Sequence, residues 1–389
     1  MTVRHPWFGP LPDNFRVGAL KFAFQKIASG GTPDTSCQAY WAGDRGTPWV
    51  AIADMSSTPA VTETAKRVTD KGIQDKRLTV FPIGTLRYSM YASVGHVAKL
   101  ELPATVNQAI LTLAPKSGFN PRYAFWQLVA MRAFVLAETR TGTQNNLNAD
   151  TIKNFPFIYP PEATQSTIGD YLDHEAAAID ELIVKKAQLV KELRSYQESA
   201  IAEAVRPRAN WRVVKIKRIV NALPKSVRPA ADTAEEGLVP FYVSGEQVKT
   251  CTLADHKDAE AIILATGGSP AVHLAAGSFS FSTDCWALKG KDDAYTPFLY
   301  WLLSSMRHDI DGLGFVGVGI KHLDKEWLLN RAVMLPSPAE QAAIATELAD
   351  RTSATERLIW NAEAQIAELR KLRSTIIVEA VAGKRKLAA

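Results

Sequence analysis

A glycine-rich stretch, GFVGVG at 314–319, is the part of this 389-residue sequence closest to a nucleotide-binding loop. Such loops hold phosphate groups with backbone N–H groups when they follow a strand and open a long helix. Here the stretch leads into IKHLDKEW instead, and no G-x-x-x-x-G-K-[ST] run occurs in the chain. The sequence therefore predicts a tight loop at 314–319 and no phosphate cradle for ATP hydrolysis.

The seven histidines are the other residues that could bind a metal or transfer protons. They are scattered, with no H-E-x-x-H run and no pairing with cysteine, so we expect no metal site on this chain. His96 and His322 lie in polar, loop-like surroundings where they could touch a ligand; a surface position without a role is the alternative for each. No Asn-Pro-Pro-Tyr or Asp-Pro-Pro-Tyr run is present, of the kind with which amino-methyltransferases hold a flipped base. With no nucleophile placed beside a base either, we expect no catalytic residues, and the sequence indicates a binding protein.

The elements that would position a binding site occur twice. IAEAV at 201–205 returns as IVEAV at 377–381, which lies 176 residues further on, and the same offset matches identical residues without a gap back to Pro160 and Pro336. NFRVGALK at 14–21 likewise resembles NWRVVKIK at 210–217. A period this long is typical of two homologous modules rather than of a solenoid.

Each module ends in a long helical pattern. Apolar residues recur at steps of three and four from Ile168 to Ala200, and the second copy repeats this from Ile344 to Ile376. A long helix with one apolar stripe needs a partner of its own length, so we expect the two copies to pair as an antiparallel coiled coil. The alternative is that each helix packs only on its own module.

The preceding halves of the modules are predicted to be mixed α/β. Short strand-like runs such as TPWVAIA and EAIILAT lie between glycine, proline and serine, and one helix-like stretch follows late in each half, at 121–137 and 297–308. We therefore expect two α/β globular domains joined by two long α-helices with an internal pseudo-twofold repeat. The expected boundaries are 1–159 for domain 1, 160–206 for the central helix, 207–335 for domain 2, and 336–389 for the C-terminal helix.

Charge and composition limit the partners. Residues 1–169 carry a net charge of +6, which suits a polyanion, whereas residues 211–337 are neutral. Three widely spaced cysteines and the lack of an 18-residue apolar run favour a cytoplasmic protein that is neither exported nor inserted in a membrane.

The ordered series of motifs resembles the specificity (S) subunit of type I restriction–modification systems over nearly the whole chain. The motifs that carry the resemblance are NFRVGALKFAFQKIASGGTPD, NWRVVKIKRIV, TPWVAIADM, TGTQNNLNADTIKNFPFIYPP and GVGIKHLDKEWLLNRAVMLPSPAEQAAI. Both helices also end in E-A-V. Together these motifs are far more specific than any one of them.

The resemblance implies a non-catalytic subunit that reads a bipartite, asymmetric sequence in double-stranded DNA. Each target recognition domain would read one half, and the paired helices would fix the spacing and dock two modification subunits. Those methyltransferase partners would carry S-adenosylmethionine and methylate adenine, and a restriction subunit using ATP would join for cleavage. This chain would hold no cofactor.

Candidate DNA-binding residues are polar or basic side chains near glycine-marked turns, because such turns often carry binding. In the first module they are Ser29, Thr32, Arg45, Arg87, Tyr88, Ser89, Thr143 and Gln144. In the second they are Lys225, Arg228, Ser244, Lys249, Thr266, Ser269, Lys321 and His322. A solvated loop residue without a role is the alternative for each.

Two further sets of residues belong to this hypothesis. Trp41 and Trp49 could stack on DNA or fill the core. Exposed helix positions are the candidates for partner docking, namely Lys185, Glu192, Arg194, Glu368 and Arg370.

Two rival functions stay open at this point. The chain could be a coiled-coil scaffold that bridges two proteins without binding nucleic acid, and the neutral second module favours this. It could also be an enzyme of an unrecognised type, although two copies of a module without convergent catalytic groups argue against that.

Overall fold

The chain forms two compact units. The computed structural model describes residues 3–55, 59–91, 93–141, 147–268, 270–319 and 321–387. Unit 1 contains Met1–Lys185 together with Gln365–Ala389, and unit 2 contains Lys186–Ala364. These divisions fall inside the two long helices, so the four-segment division made from the sequence stays a prediction.

Unit 1 is built from short strands and five helices, counted over the described residues. The strands are β1 (Arg4–His5), β2 (Gly9–Pro10), β3 (Arg16–Ala19), β4 (Phe24–Ser29), β5 (Trp41–Ala42), β6 (Thr47–Val50), β7 (Ala60–Val61), β8 (Lys66–Val68), β9 (Leu86–Ser89), β10 (Val97–Leu100), β11 (Thr105–Val106), β12 (Ile110–Pro115) and β13 (Pro156–Tyr159). The helices are α1 (Ile52–Met55), α2 (Asp70–Asp75), α3 (Pro121–Thr141), α4 (Ala149–Lys153) and α5 (Glu162–Ala204), the last of which continues into unit 2.

The described strands of unit 1 form two principal sheets. One has the order β4-β12-β9-β10-β7 and the other the order β11-β6-β8-β5, while β1 pairs with β2 and β13 with β3. Helix α3 packs on the first sheet, and its buried residues Tyr123, Leu128 and Met131 share a core with Leu86 and Leu111 of that sheet.

Unit 2 is built on one larger sheet. Its described strands are β14 (Arg212–Lys215), β15 (Val220–Ala222), β16 (Val239–Tyr242), β17 (Lys249–Cys251), β18 (His256–Ala265), β19 (Val272–Phe281), β20 (Cys285–Gly290), β21 (Phe315–Val316), β22 (His322–Leu323) and β23 (Ala332–Leu335). Its helices are α6 (Thr296–Ser305), α7 (Arg307–Asp309), α8 (Lys325–Asn330) and α9 (Pro338–Val381), with a π-helical turn at Ile310–Gly314, and α9 continues into unit 1. The sheet order is β15-β20-β18-β19-β16-β17, and α6 packs against β18 and β19. The predicted mixed α/β class is confirmed.

The internal duplication is visible at the level of single hydrogen bonds. Strand β3 pairs antiparallel with β13, and β14 pairs antiparallel with β23 in the same way. Beside these pairs, Lys21 Nζ donates to Asn154 Oδ1 at 2.9 Å, and Lys217 Nζ donates to Asn330 Oδ1 at 2.9 Å. The predicted repeat therefore preserves the scaffold around the start and end of each module.

A buried glutamine repeats as well. Gln165 at the start of α5 accepts a hydrogen bond from the Asn120 amide at 2.8 Å, and Gln341 at the start of α9 accepts one from the Tyr295 amide at 2.7 Å. Both side chains are buried. In each module the glutamine joins the long helix to the beginning of an earlier helix, α3 or α6.

The long helices pair antiparallel within each unit. In unit 1, Arg373 Nε lies 2.8 Å from Asp180 Oδ1, and the Arg385 guanidinium lies 5.9 Å from the centre of the Tyr171 ring. The earlier residue of α5, Tyr171, meets the later partner, Arg385, and Asp180 meets Arg373. The two chain directions are therefore antiparallel. The coiled-coil packing itself stays a prediction.

Unit 2 contains the corresponding pair of helix segments. Arg194 Nη2 donates to Glu363 Oε1 at 2.9 Å, and Arg351 Nη2 donates to the Tyr196 hydroxyl at 3.2 Å. Val205, which directly follows α5, shares a core cluster with Ile344, which lies near the start of α9.

Each long helix also contributes to a globular core. The first turns of α5 bury Ile168 and Leu172 in the core of unit 1, where Ile376 and Ile377 of α9 join them. Each long helix therefore both packs on a globular core and contacts the other long helix.

Candidate nucleic-acid interface

Three of the predicted DNA-binding residues of unit 2 lie together. The amide of Leu323 donates to the Thr266 carbonyl at 3.0 Å, and Gly267 forms a β-bridge with His322. Lys321 precedes His322 on the same β21–β22 hairpin, and both side chains are exposed. The hairpin thus brings Thr266, Lys321 and His322 to one surface, although 55 residues of sequence separate the first two.

Two lysines extend this surface. Lys325, at the start of α8, places Nζ 5.1 Å from the centre of the Trp286 ring. Burial lowers the pKa of Lys325, and the positive charge of Lys225 lowers it further. We call Lys225, Thr266, Lys321, His322 and Lys325 the unit 2 loop surface.

Sequence reasoning missed Lys325. Its distinguishing feature is the stack on Trp286, a residue of β20 that lies far away in sequence. Spacing along the chain contains no signal for this pair, because the tertiary fold brings the residue of α8 to the residue of β20.

Arg228 has a structural role. Its Nε and Nη2 atoms donate to the two carboxylate oxygens of Asp255 at 2.9 and 2.7 Å, and Asp232 lies 3.6 Å from Nη1. These hydrogen bonds raise the pKa of Arg228. Its side chain is mostly covered, and the carboxylates occupy hydrogen-bond donors of the guanidinium. Its assignment to a DNA-contacting surface stays a prediction.

The remaining candidates of unit 2 lie elsewhere. Ser244 is exposed in the turn between β16 and β17, and Lys249 is exposed at the start of β17. Both belong to the segment from β16 to β17 and not to the β21–β22 hairpin. Ser269 lies outside the described residues.

In unit 1, Ser29 and Thr32 lie where β4 ends. Ser29 is exposed and pairs with Leu111 of β12, and the Thr32 hydroxyl donates to Gln108 Oε1. Gly30 lies between them, where an added Cβ would come 1.9 Å from the Val106 carbonyl oxygen. Glycine at this position therefore allows the loop to pass close to β11. Thr143 and Gln144 lie outside the described residues.

An aromatic and basic group adjoins this loop. The rings of Trp41 and Trp49 meet edge to face at 5.2 Å between centroids, and Lys66 Nζ lies 5.3 Å from the centre of the Trp41 ring. Trp49 is buried and donates from Nε1 to the Gly31 carbonyl at 2.9 Å, so it fills the core, whereas Trp41 is half-buried. Sequence reasoning missed Lys66, which the pairing of β8 with β5 brings to Trp41.

Arg45 belongs to the same sheet. It is exposed in the turn between β5 and β6. The unit 1 loop surface therefore consists of Ser29, Thr32, Trp41, Arg45 and Lys66.

Arg87, Tyr88 and Ser89 require a correction. All three are buried in β9, an inner strand of the five-stranded sheet, with 0% exposure. A side chain without exposed surface cannot touch DNA, so the structure does not support their assignment to the interface. Gly84 precedes this strand, which begins at Leu86.

Arg87 is a buried cation without a carboxylate partner in the described residues. Its Nη1 donates to the Leu86 carbonyl at 3.1 Å and its guanidinium lies 4.9 Å from the centre of the Phe81 ring, while Nε and Nη2 have no hydrogen-bond partner there. Burial lowers the pKa of Arg87 to about 9.

His96 is also less accessible than the sequence suggested. Its Nδ1 atom is buried, and no hydrogen-bond partner for it lies among the residues the structure covers. Burial lowers the pKa of His96, and Arg132 lowers it further. A neutral, half-buried imidazole is therefore expected at neutral pH.

The five helix residues predicted to dock partners are all exposed. Three make contacts along or between the helices: Lys185 with Glu181 at 2.5 Å, Glu192 with Gln188 at 2.9 Å, and Arg194 with Glu363 at 2.9 Å. Glu368 and Arg370 complete the set. Whether any of the five contacts a partner stays a prediction.

Arg370 also lines a pocket in unit 1. The pocket has a volume of about 380 Å³ and lies between α3 and α9, with Arg132 and Arg373 as further basic residues and Val129 and Ile377 as apolar ones. Sequence reasoning missed Arg132 and Arg373.

Part of the apolar stripe of each helix is uncovered in the single chain. The exposed apolar residues are Leu182, Val184, Leu189 and Tyr196 on α5, and Leu358, Trp360 and Leu372 on α9. Water-exposed apolar side chains grouped on one element are typical of a protein interaction site.

The described residues contain neither a candidate metal site nor a membrane-spanning helix. No group of three or more His, Cys, Asp or Glu side chains there could hold a metal ion. The same residues include no helix with the length and apolar character that crossing a membrane requires. The predicted tight loop at 314–319 is confirmed, since it forms the end of the π-helical turn and part of the β21–β22 hairpin.

Comparison with known proteins places both modules in one family. The family described as "Type I restriction modification DNA specificity domain" matches residues 12–192 and 208–367. A stretch of 182 residues, 46% of this chain, is 27% identical to the type I restriction enzyme MjaIX specificity subunit of Methanocaldococcus jannaschii. The match spans 40% of the length of that relative.

Solved structures share the fold. One, described as the basis of complex assembly and conformational transition of the type I R-M system, has a TM-score of 0.72 at 15% identity and covers 96% of this chain and 99% of its own. The HsdS subunit from Thermoanaerobacter tengcongensis has a TM-score of 0.51 at 15% identity and covers 98% of this chain and 100% of its own. At such identities the likeness extends to the fold alone.

Proposed function

Because this chain belongs to the type I restriction modification DNA specificity domain family, of which it carries two copies, we propose that it is the sequence-recognition subunit of a type I restriction–modification complex. Each unit would read one half of a bipartite, asymmetric DNA target. The observation that carries this proposal is the repeated scaffold, on which each unit presents a different loop surface with basic side chains.

Recognition divides between two kinds of contact. Lysine and arginine side chains such as Lys225, Lys321 and Arg45 would neutralise phosphates and fix the register of the duplex. Polar side chains such as Thr32 and His322 would form hydrogen bonds with base edges in a groove. Because the two loop surfaces differ in sequence, the two half-sites would differ, which makes the target asymmetric.

The long helices would dock two modification subunits. Their exposed apolar residues, including Val184, Leu189 and Trp360, would supply the area that such an interface buries, with Lys185 and Glu192 at its polar rim. The helices would also fix the spacing between the half-sites.

The chemistry would belong to the partners. The modification subunits would bind S-adenosylmethionine and methylate adenine, and a restriction subunit using ATP would join for cleavage. This chain would bind no cofactor and catalyse no reaction, and the complex would act in the cytoplasm.

The experiment is co-expression of the chain with its modification subunit in a host, followed by sequencing that detects methylated adenine across the genome. We expect one split motif, methylated at one adenine in each half. A matched pair of variants gives the control: Lys321→Ala removes a charge from the unit 2 loop surface, and Lys257→Ala removes one near the opposite end of β18. Lys321→Ala should reduce methylation, whereas Lys257→Ala should not.

A scaffold that bridges two proteins without binding nucleic acid is the second candidate, favoured by the neutral charge of residues 211–337. It predicts a stable complex that leaves the host genome unmethylated and binds no duplex. Co-purification without methylation would therefore replace the recognition proposal with the scaffold.

A further inference from the structure

The end of the π-helical turn and the loop that follows it expose three apolar side chains. Val318 is 105% exposed, and Leu313 and Val316 are 59% and 53% exposed. Three exposed apolar side chains within six residues cost solvation free energy, and such a group is typical of an interaction site.

The base of the loop is held in place. Phe315 pairs with Leu323 and Val316 with His322, and the Asp324 amide donates to the Gly314 carbonyl at 2.8 Å. Phe315 and Leu323 are both buried. The hairpin is therefore anchored in the core of unit 2 while its tip extends away from it.

Two glycines direct the valine outward. Gly317 has φ of 132° and Gly319 has φ of 85°, a left-handed region in which side chains are strained. Since the chain turns at these two positions, Val318 between them does not fold back onto the hairpin.

Basic side chains lie near this tip. Lys321 follows it in the chain, and Lys325 lies at the start of α8, where the positive charge of Lys225 helps to lower the pKa of Lys325. An apolar tip beside lysines suits a DNA groove, in which phosphates line the rim and apolar base surface lies inside.

We propose that Val318 enters the groove of the target duplex and contacts a thymine methyl group, which makes it a specificity-determining residue of unit 2. The proposal rests on the proposed function. Valine has no hydrogen-bonding atom in its side chain, so the apolar feature that a base pair presents in the major groove, the thymine 5-methyl group, is what it can read. A valine is also smaller than the wedge residues that unstack a base step.

The test measures binding of the complex with its modification subunits to a duplex that carries the motif found by methylation sequencing. Val318→Ala is compared with Val213→Ala, which removes the same two methyl groups from an exposed valine on β14. We expect Val318→Ala to weaken binding about tenfold, because two methyl groups lose apolar contact, and Val213→Ala to change it less than about twofold.

A protein–DNA double-mutant cycle identifies the contact. Each thymine of the half-site read by unit 2 is replaced by uracil in turn, which removes only the methyl group. At one position we expect uracil to weaken wild-type binding about fourfold and to leave Val318→Ala unaffected.

The outcomes separate this inference from the proposed function. Binding by Val318→Ala within about twofold of wild type, or no uracil effect at any position, overturns the role of Val318 while methylation and recognition stand. A wild-type complex that neither binds nor methylates DNA overturns the proposed function and, with it, the role of Val318.

Discussion

Replacing Gln341 tests how the recognition domain of unit 2 is attached to its long helix. The side chain is buried with 0% exposure, accepts from the Tyr295 amide at 2.7 Å, and donates to the carbonyls of Asp293 and Pro336, each at 3.0 Å. Gln341→Ala removes all three hydrogen bonds. At about 1 kcal/mol for each bond, the free energy of unfolding should fall by about 3 kcal/mol.

The assay is urea unfolding followed by tryptophan fluorescence, with Gln188→Ala as the matched control. Gln188 also lies on a long helix, but it is exposed and donates only to Glu192, four residues further on, at 2.9 Å. Such a pair contributes about 0.3 kcal/mol, so the control should unfold almost as wild type does.

The repeat supplies a second comparison. Gln165 makes two of these bonds, to the Asn120 amide and the Pro160 carbonyl, so Gln165→Ala should cost about 2 kcal/mol. If Gln341→Ala and Gln188→Ala lowered stability equally, the buried glutamine would not join the helices as argued.

Three further predictions concern charge, burial and docking. Lys321→Ala should weaken DNA binding alike for every sequence and reduce the slope of log affinity against log salt by about 1, as titrations at several salt concentrations would show. Arg87→Met should raise the free energy of unfolding at pH 7 by about 2 kcal/mol, measured with urea, because it removes an unpaired buried charge. Burial lowers the pKa of Arg87 to about 9, below its value in the unfolded chain, so the unfolded chain binds more protons once the pH exceeds about 9. Wild-type stability should therefore rise with pH there relative to the Met variant; a constant difference would contradict the burial argument. Trp360→Ala, which truncates a side chain that is 69% exposed, should weaken binding to the modification subunit at least about tenfold and leave thermal unfolding unchanged; an equal affinity would remove Trp360 from the interface.

Much of the fold could be predicted because it is repeated. Identical residues at an offset of 176 occupy equivalent hydrogen bonds, as Asn154 and Asn330 do. A helical period sustained from Ile168 to Ala200, and again from Ile344 to Ile376, is likewise strong enough to be read locally. The sheet order could not be read in this way, because strands such as β7 and β11 are two residues long and their neighbours are distant in sequence.

The candidate site was predicted less well, for a reason that Arg87 and Lys325 illustrate. A basic residue after a glycine suggests a turn, yet Arg87 belongs to an inner strand and is fully buried. The sequence around Lys325 does not indicate that its side chain lies beside Trp286. The exposure of a side chain and its neighbours in space depend on which strands and helices pack together. The composition around a turn does not predict this packing.

The sequence by itself determined that the chain contains one module twice, that each copy ends in a long amphipathic helix, and that the motifs belong to DNA specificity domains. The first two properties follow from identity between the copies and from local periodicity, and the third follows from the resemblance of the motifs to a known family. Only the tertiary structure decided which side chains share a surface: it placed Thr266 beside His322, occupied Arg228 with Asp255, and left Val318 at the tip of an anchored hairpin. The physical reason is that a recognition surface forms from non-local strand pairing, whereas a repeat and a helix are specified by neighbours along the chain.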